Sequence, residues 1–348
     1  MKTAYHFLLL LFFLSSCRSA VEKSDNPKAV ANPVETVATL NKDFVPSDNT
    51  VVSPVEAITP PEYRMETIND SLDFYFAKRR NDLIDTLLNS RQIVQLDSSH
   101  RYKALKFYVF RRNVEGAKRI IDLGVDVNSP IIMDNYNYNQ PLGFLAIRYP
   151  DFDMVKLLVE NGLDLNVRTS QEAGDCVICP ENITLLHSIV MQIIYQANME
   201  NYDHEKDYEI LKYLFEKSED PNPLNQYGDT PLFFAAKSER MDLVDTLMKY
   251  GAKVNMKDQS ALCASVMFSD YEMSKKFLDH GADPNLGNPL IICNQCCGDG
   301  FGEGIIFAER VKTLQLLLDH GADPNLKNRD GNSFLDLCRK EVKPLLKF

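Results

Sequence analysis

The feature that most constrains this chain is a short segment that recurs along its length. The run His-Gly-Ala-Asp-Pro-Asn occupies residues 280–285 and returns at residues 320–325, and looser copies end at Asn128, Asn166 and Asn255. An amphipathic stretch precedes each copy, with Leu and Val at helical spacing, and the glycine then supplies the positive φ that ends a helix. Self-similarity of this kind predicts an array of helical repeats.

Each copy also contains an earlier helix, which begins near Pro141-Leu142, Pro231-Leu232 and Pro289-Leu290 in three of them. Proline is tolerated there because the first turn of a helix needs no N–H partner. The leucine that opens this helix can be followed through the array, and it predicts seven repeats followed by a truncated eighth. These anchors are Leu72, Leu105, Leu142, Leu186, Leu232, Leu262, Leu290 and Leu335.

The most regular copy extends from Gly228 to Asn255 and contains the run Thr-Pro-Leu-Phe at residues 230–233. It resembles the ankyrin repeat, in which Thr-Pro-Leu-His leads into a helix pair and a hairpin. Phe233 replaces the usual His and Glu239 the usual Gly, which leaves the local hydrogen bonding open, whereas His187 matches the family's structural histidine. Over residues 63–348 the resemblance implies an all-α, ankyrin-type helical repeat solenoid with a helix pair and a β-hairpin loop per repeat, and about seven repeats plus a truncated C-terminal cap.

The same resemblance implies that the chain binds another protein through hairpin tips and the concave helix face. Tyrosine gives a large contact area at little entropy cost, so Tyr136, Tyr138 and Tyr227 are the predicted partner-binding residues. An equal alternative is that these tyrosines only brace a long hairpin. Resemblance to bacterial ankyrin proteins that neutralise toxins adds an inhibitor or immunity protein as one specific form of this function.

The N-terminus is typical of a targeting signal. The apolar run from Phe7 to Leu14 is too short to span a bilayer, which needs about 20 residues, but it suits a secretory signal. The sequence Leu14-Ser15-Ser16-Cys17 resembles the bacterial lipobox, whose Cys is lipidated; an ordinary cleaved signal with an incidental Cys is the alternative. We therefore predict a lipoprotein signal peptide at residues 1–16 and lipid attachment at Cys17.

Residues 17–62 are predicted to be the lipidated Cys and a disordered, Pro-rich tether, because the segment lacks the apolar surface to offset chain entropy. The ankyrin repeat domain follows at residues 63–348. Arg18, where an Asp would favour the inner membrane, places the protein in the cell envelope on the outer membrane, facing the periplasm or the surface. Membrane contact is predicted through the lipid anchor only.

The net charge of the chain bears on which class of macromolecule it binds. The formal net charge is −11, which argues against nucleic acid, because Lys and Arg must neutralise its phosphates. We find no nucleophile, base and orienting group that repeat geometry would bring together. The prediction is therefore a non-enzymatic scaffold without cofactor or metal.

The cysteines support one alternative function. Cys176 and Cys179 form a Cys-x-x-Cys pair, and Cys293, Cys296 and Cys297 form a second cluster. Four thiolates would make a closed zinc site, but the two clusters lie about three repeats apart, on the order of 30 Å by helix packing distances. A Cys176–Cys179 disulfide or free thiols remain open, and so does a redox or metal-binding protein built on that pair. Cys263, Cys293 and Cys338 are predicted to be structural.

Overall fold

The computed structural model describes residues 67–129, 141–169, 182–197, 204–256, 260–295, 305–340 and 342–348, all within one compact unit, Arg64–Phe348. Within these ranges the chain forms helices and no strand. The helices follow one another as seven pairs and a shortened eighth: α1 (Ile68–Ala77) and α2 (Asn81–Leu88); α3 (Ser98–Phe110) and α4 (Val114–Ile121); α5 (Leu142–Arg148) and α6 (Phe152–Glu160); α7 (Leu185–Gln196) and α8 (His204–Lys217); α9 (Pro231–Lys237) and α10 (Met241–Lys249); α11 (Ala261–Met267) and α12 (Tyr271–Asp279); α13 (Pro289–Gln295) and α14 (Ile305–Asp319); α15 (Phe334–Leu337) and the 3-10 helix Lys343–Leu345. A further 3-10 helix, Arg91–Gln95, connects α2 to α3.

Side-chain caps set where the first helix of several pairs begins. The hydroxyls of Thr230, Ser260 and Ser333 each accept a hydrogen bond from the backbone N–H three residues on, at 3.2, 3.2 and 3.3 Å. Each cap satisfies a donor that the first turn leaves without a partner. In five of the seven full repeats the second helix is followed by a glycine with positive φ, as at Gly281 (φ 81). The predicted repeat register is therefore confirmed at both ends of the helix pair.

The predicted leucine anchors lie in the core. Seven of the eight are buried, and in the truncated eighth repeat Leu335 is half-buried while its neighbour Phe334 is buried. Leu247, in the second helix of the fifth repeat, is fully buried as well. Each repeat thus buries one face against its neighbours, which is how a solenoid without a central core is stabilised.

The recurring Asp-x-Asn motif owes its sequence to hydrogen bonds at the base of each hairpin. The Asp283 carboxylate accepts from the Asn285 N–H at 2.8 Å, which closes an Asx turn. The Asn285 side chain then reaches the following repeat, where Nδ2 donates to the Gly321 carbonyl at 3.2 Å and Oδ1 accepts from the Asp323 N–H at 2.7 Å. The same two bonds link Asn128, Asn222 and Asn255 to the repeats that follow them.

One member of this series was not recognised from the sequence. Asp220 and Asn222 close the fourth repeat with the same Asx turn, at 2.9 Å, although Ser218 and Glu219 stand where other copies have Gly and Ala. The preceding junction is built differently. Arg168 donates from Nη1 to the carbonyls of Asn182 (3.0 Å) and Leu224 (2.7 Å), and so connects segments from successive repeats.

The spacing of the repeats predicts about a dozen extra residues between the paired helices of the fourth and seventh repeats, and both inserts are partly helical. In the fourth repeat, the insert expected at residues 196–206 begins with the last residue of α7 and ends inside α8, which starts at His204. In the seventh, the expected insert at residues 294–304 begins with the last two residues of α13. Asn294 is buried there, and its Nδ2 donates to the Leu337 carbonyl at 3.0 Å. Helix packing therefore takes up residues that composition alone suggested were loop.

Across the parts of the chain that the structure describes, no helix is both long and apolar enough to cross a membrane.

Candidate protein-binding surface

Tyr227 lies at the tip of the hairpin that precedes α9, where its side chain is 63% exposed. Asn225 organises this tip, because its Oδ1 accepts from the N–H groups of Tyr227 and Asp229, both at 2.9 Å. The Asn225 N–H donates to the Asp229 carbonyl at 3.0 Å, and Gly228 turns the chain with a φ of 85. The tip therefore presents an aromatic ring from a backbone that is already ordered.

The hairpin is fastened to the preceding repeat by His187 on α7. The His187 imidazole is buried, its Nδ1 accepts from the Thr184 N–H at 3.3 Å, and its Nε2 lies 3.1 Å from the Asp229 carbonyl oxygen. This pattern requires the neutral ring with its proton on Nε2. Burial lowers the pKa of His187 to about 4, which keeps the ring in that form at neutral pH. The predicted structural role of His187 is thus supported by its contacts.

Phe234 extends the apolar surface beside this hairpin. It is half-buried on α9 and packs edge-on against the His187 ring, with the centroids 5.9 Å apart. Tyr195, near the end of α7, is 41% exposed. The sequence gives no signal that distinguishes Tyr195 from the buried residues of α7, and its exposure is seen only in the structure. Two exposed tyrosines in the fourth and fifth repeats therefore offer aromatic contact area.

A hydrogen bond from Tyr208 of α8 to an ion pair at the start of α10 joins the same two repeats. Arg240 contacts Asp242 through Nε (2.9 Å) and Nη2 (2.7 Å), and the Tyr208 hydroxyl donates to Asp242 Oδ2 at 2.7 Å. The Arg240 hydrogen bonds hold the pKa of Asp242 well below its usual range, while burial raises that of Tyr208. The first repeat carries the same pair, Arg80 with Asp82. The Tyr208 hydrogen bond therefore ties α8 to the start of α10.

Several predicted site residues lie outside the described residues. They are Cys17, Tyr136, Tyr138, Cys176 and Cys179. The signal peptide at residues 1–16, the tether at residues 17–62, and Cys296 and Cys297 fall outside as well. Of the three tyrosines predicted to bind a partner, Tyr227 alone is described. These predictions therefore stay predictions.

The remaining cysteines are thiols with a structural setting. Cys263 and Cys293 are buried, as predicted, and Cys338 is half-buried beside the short helix α15. Burial raises the pKa of the Cys263 thiol, which disfavours the reactive thiolate. No group of three or more His, Cys, Asp or Glu side chains suited to a metal occurs in the described ranges.

Comparison with a protein-family model identifies ankyrin repeats in this chain. The model described as "Ankyrin repeats (3 copies)" matches residues 198–288. This segment contains α8 to α12 and the Tyr227 hairpin. The matched residues include the most regular copy found by spacing.

Curated viral proteins show the same repeats. An ankyrin repeat protein of fowlpox virus (strain NVSL) is 28% identical over 143 residues, which cover 38% of this chain and 75% of that protein. An ankyrin repeat protein of Acanthamoeba polyphaga mimivirus is 25% identical over 180 residues, 49% of this chain. The chain spans only 20% of the length of the mimivirus protein.

Among solved structures, the ankyrin repeat domain of Bcl-3 is similar with a TM-score of 0.51 and 20% identity, covering 70% of this chain and 96% of that domain. At this identity the likeness concerns the fold. Together with the helix pairs, it confirms the expected fold class, an all-α ankyrin-type repeat solenoid.

Proposed function

We propose that this ankyrin repeat chain is held in the cell envelope by lipid on Cys17 and binds another protein through its hairpin tips and first-helix face. The repeats support the protein-binding part of this proposal, and the lipobox-like sequence ending at Cys17 supports the anchor. An inhibitor or immunity protein is one specific form of this binding function. A binding function of this kind needs neither a cofactor nor a catalytic group.

The observation that carries the binding surface is the exposed ring of Tyr227 on an ordered tip. Two bonds to Asn225 and the His187 contact to Asp229 fix the backbone before any partner arrives. Pre-organisation matters because immobilising a flexible loop on binding costs free energy. Truncating an aromatic hot-spot residue costs on the order of 2 kcal/mol or more. Tyr227 is therefore a suitable anchor.

The binding surface is tested by recovering the partner and titrating it. The partner is cross-linked to the wild-type chain in detergent-solubilised envelope, identified, and then titrated directly against purified variants. Tyr227→Ala should weaken binding at least tenfold while the melting temperature stays unchanged, because the exposed ring contributes little to the core. Phe348→Ala is the matched control, since Phe348 is also 63% exposed but belongs to the truncated eighth repeat and not to the Tyr227 hairpin. Equal affinities for the two variants would rule out the Tyr227 tip.

The pair Tyr136→Ala with Tyr138→Ala extends the same titration to the longer hairpin. A tenfold loss with unchanged melting would add that hairpin to the binding surface. A loss of folding would instead show that the two tyrosines brace the hairpin.

Anchoring is tested separately by Cys17→Ala, which should move the chain out of the membrane pellet or leave it uncleaved. Arrival of a lipidated variant at the membrane would contradict the lipobox assignment.

A further inference from the structure

Four cations occupy the turns between the paired helices of the first two repeats. They are Lys78 and Arg79, which follow α1, and Arg111 and Arg112, which follow α3. All four are exposed, and none forms an ion pair with a carboxylate in the described part of the chain. The neighbouring Arg80 differs, because Asp82 neutralises it at 2.8 Å. We refer to these four residues as the basic edge.

Aromatic rings support two of these cations and connect the two turns. Lys78 Nζ lies 5.9 Å from the centre of the Phe74 ring, and the Arg111 guanidinium lies 6.0 Å from the Phe107 ring. Phe107 in turn packs edge-on against Phe76 of the first repeat, with the centroids 5.7 Å apart. A cation at this distance is attracted to the ring, which favours a defined position for the Lys78 and Arg111 side chains. The basic edge is thus one surface formed by adjacent repeats.

Other repeats show that the fold does not require these charges. Cations at a helix C-terminus complement its dipole, which would by itself explain basic residues at these turns. The equivalent turn holds Ser238 and Glu239 in the fifth repeat, and Phe268 and Ser269 in the sixth. Glu239 and Ser269 share the left-handed backbone of Arg79 and Arg112, with φ between 52 and 56. The basic edge is therefore a local feature of a chain whose net charge is −11.

We propose that the basic edge binds the headgroups of anionic phospholipids. Lys and Arg near a negatively charged leaflet each strengthen binding by about fivefold. The first helix begins at residue 68, and the predicted tether ends at residue 62, so the repeats that carry the edge are the first to follow the tether in sequence. This extends the sequence-based prediction, in which the membrane is contacted by the anchor alone, and it rests on the proposed envelope location.

The left-handed backbone allows the edge to be removed without harming the fold. Arg79→Gly with Arg112→Gly deletes two charges at positions where glycine is the favoured residue. Glu239→Gly is the matched control, because it makes the same backbone change at the equivalent turn and removes a negative charge instead. All variants are made in the full chain carrying Cys17→Ala, so that no acyl chain masks the contribution of the edge.

Binding is measured by flotation with phosphatidylcholine vesicles, with and without added phosphatidylglycerol. We expect the parent chain to prefer the anionic vesicles at low salt, and the double arginine variant to lose roughly 25-fold of that binding. The Glu239→Gly variant should keep it, and circular dichroism should show folded protein throughout. Equal binding to neutral and anionic vesicles, or unchanged binding of the arginine variant, would overturn the proposal. So would charge-dependent binding to polyglutamate with none to vesicles, which would indicate an acidic protein segment. Fractionation of the Cys17→Ala cells tests the anchor separately.

Discussion

The Cys263 thiol lies 3.3 Å from the Leu286 carbonyl oxygen, and this contact occupies the place of the bond that His187 makes with Asp229 in an earlier repeat. Both residues follow the leucine that opens the first helix, Leu262 and Leu186. In each case a buried donor reaches the hairpin of the next repeat. Phe233 stands at the same position in the fifth repeat and has no polar side-chain atom to make the bond, yet its N–H keeps the cap to Thr230 at 3.2 Å. The helix cap and the hairpin bond are therefore independent of each other.

We expect His187 to make the stability of the repeats depend on pH. Its pKa is about 4 in the folded chain, against about 6.5 when unfolded. As the pH falls, the unfolded chain therefore protonates His187 at a higher pH than the folded chain does. The stabilisation that is present above pH ~6.5 is lost as the pH falls toward 4. The whole effect is about 3 kcal/mol at most. Urea midpoints measured from pH 7 to 5 should fall.

His187→Phe tests this assignment, since Phe233 shows that the position accepts a phenyl ring. The variant should be less stable at pH 7 because it loses the bond to Asp229, but its midpoint should change less between pH 7 and 5. A midpoint that falls as steeply as that of the wild type would show that another group causes the pH dependence.

Glu239→Gly should stabilise the chain by about 0.5–1 kcal/mol. Glu239 has a φ of 56, a left-handed conformation that costs a residue with a Cβ more than it costs glycine. Glu216→Gly is the control, because Glu216 is exposed inside α8, where glycine should destabilise by about 1 kcal/mol. The two denaturation midpoints should move in opposite directions. Destabilisation by both changes would mean that Glu239 makes a contact worth more than its backbone strain.

Asn255→Ala should lower the free energy of unfolding by about 1–2 kcal/mol, because it removes two hydrogen bonds to the next repeat. These bonds run from Asn255 Nδ2 to the Gly281 carbonyl and from the Asp283 N–H to Asn255 Oδ1, both at 2.8 Å. Asn325→Ala is the comparison, since Asn325 occupies the same place in the motif but, among the described residues, its side chain donates only to Asp323 of its own turn. Equal denaturation midpoints for the two variants would show that the hydrogen bonds from Asn255 to the next repeat add no stability.

Leu247→Ala should cost about 2–5 kcal/mol, as truncations of buried leucines do. Leu247 is fully buried on α10. Thermal or urea denaturation of the purified chain measures the loss, with the half-buried Met248→Ala expected to cost less. An unchanged midpoint for Leu247→Ala would contradict the repeat register itself.

The sequence by itself determined the repeat and its register. Glycine at positive φ, a capping hydroxyl and leucine at helical spacing are local signals, so the helix pairs followed from them, and Gly281, Thr230 and Leu232 occupy the predicted places. The Asp220-Pro221-Asn222 turn was not predicted, because the Gly and Ala that precede it in other repeats are absent. The turn itself needs only the Asp220 carboxylate and the Asn222 N–H. Local sequence signals therefore predicted an element wherever all residues of its motif were present.

Contacts between repeats were decided only by the tertiary structure. Arg168 reaches the carbonyl of Leu224, 56 residues away, and Asn294 reaches Leu337, 43 residues away. No local pattern encodes such a bond, because it depends on how a neighbouring repeat packs. The exposure of a side chain also depends on the tertiary structure. Tyr227 is exposed on a hairpin tip, whereas Tyr208 is half-buried and its hydroxyl donates to Asp242. Which of them is available to a partner follows from the stacking of repeats, since each repeat covers part of the surface of the next.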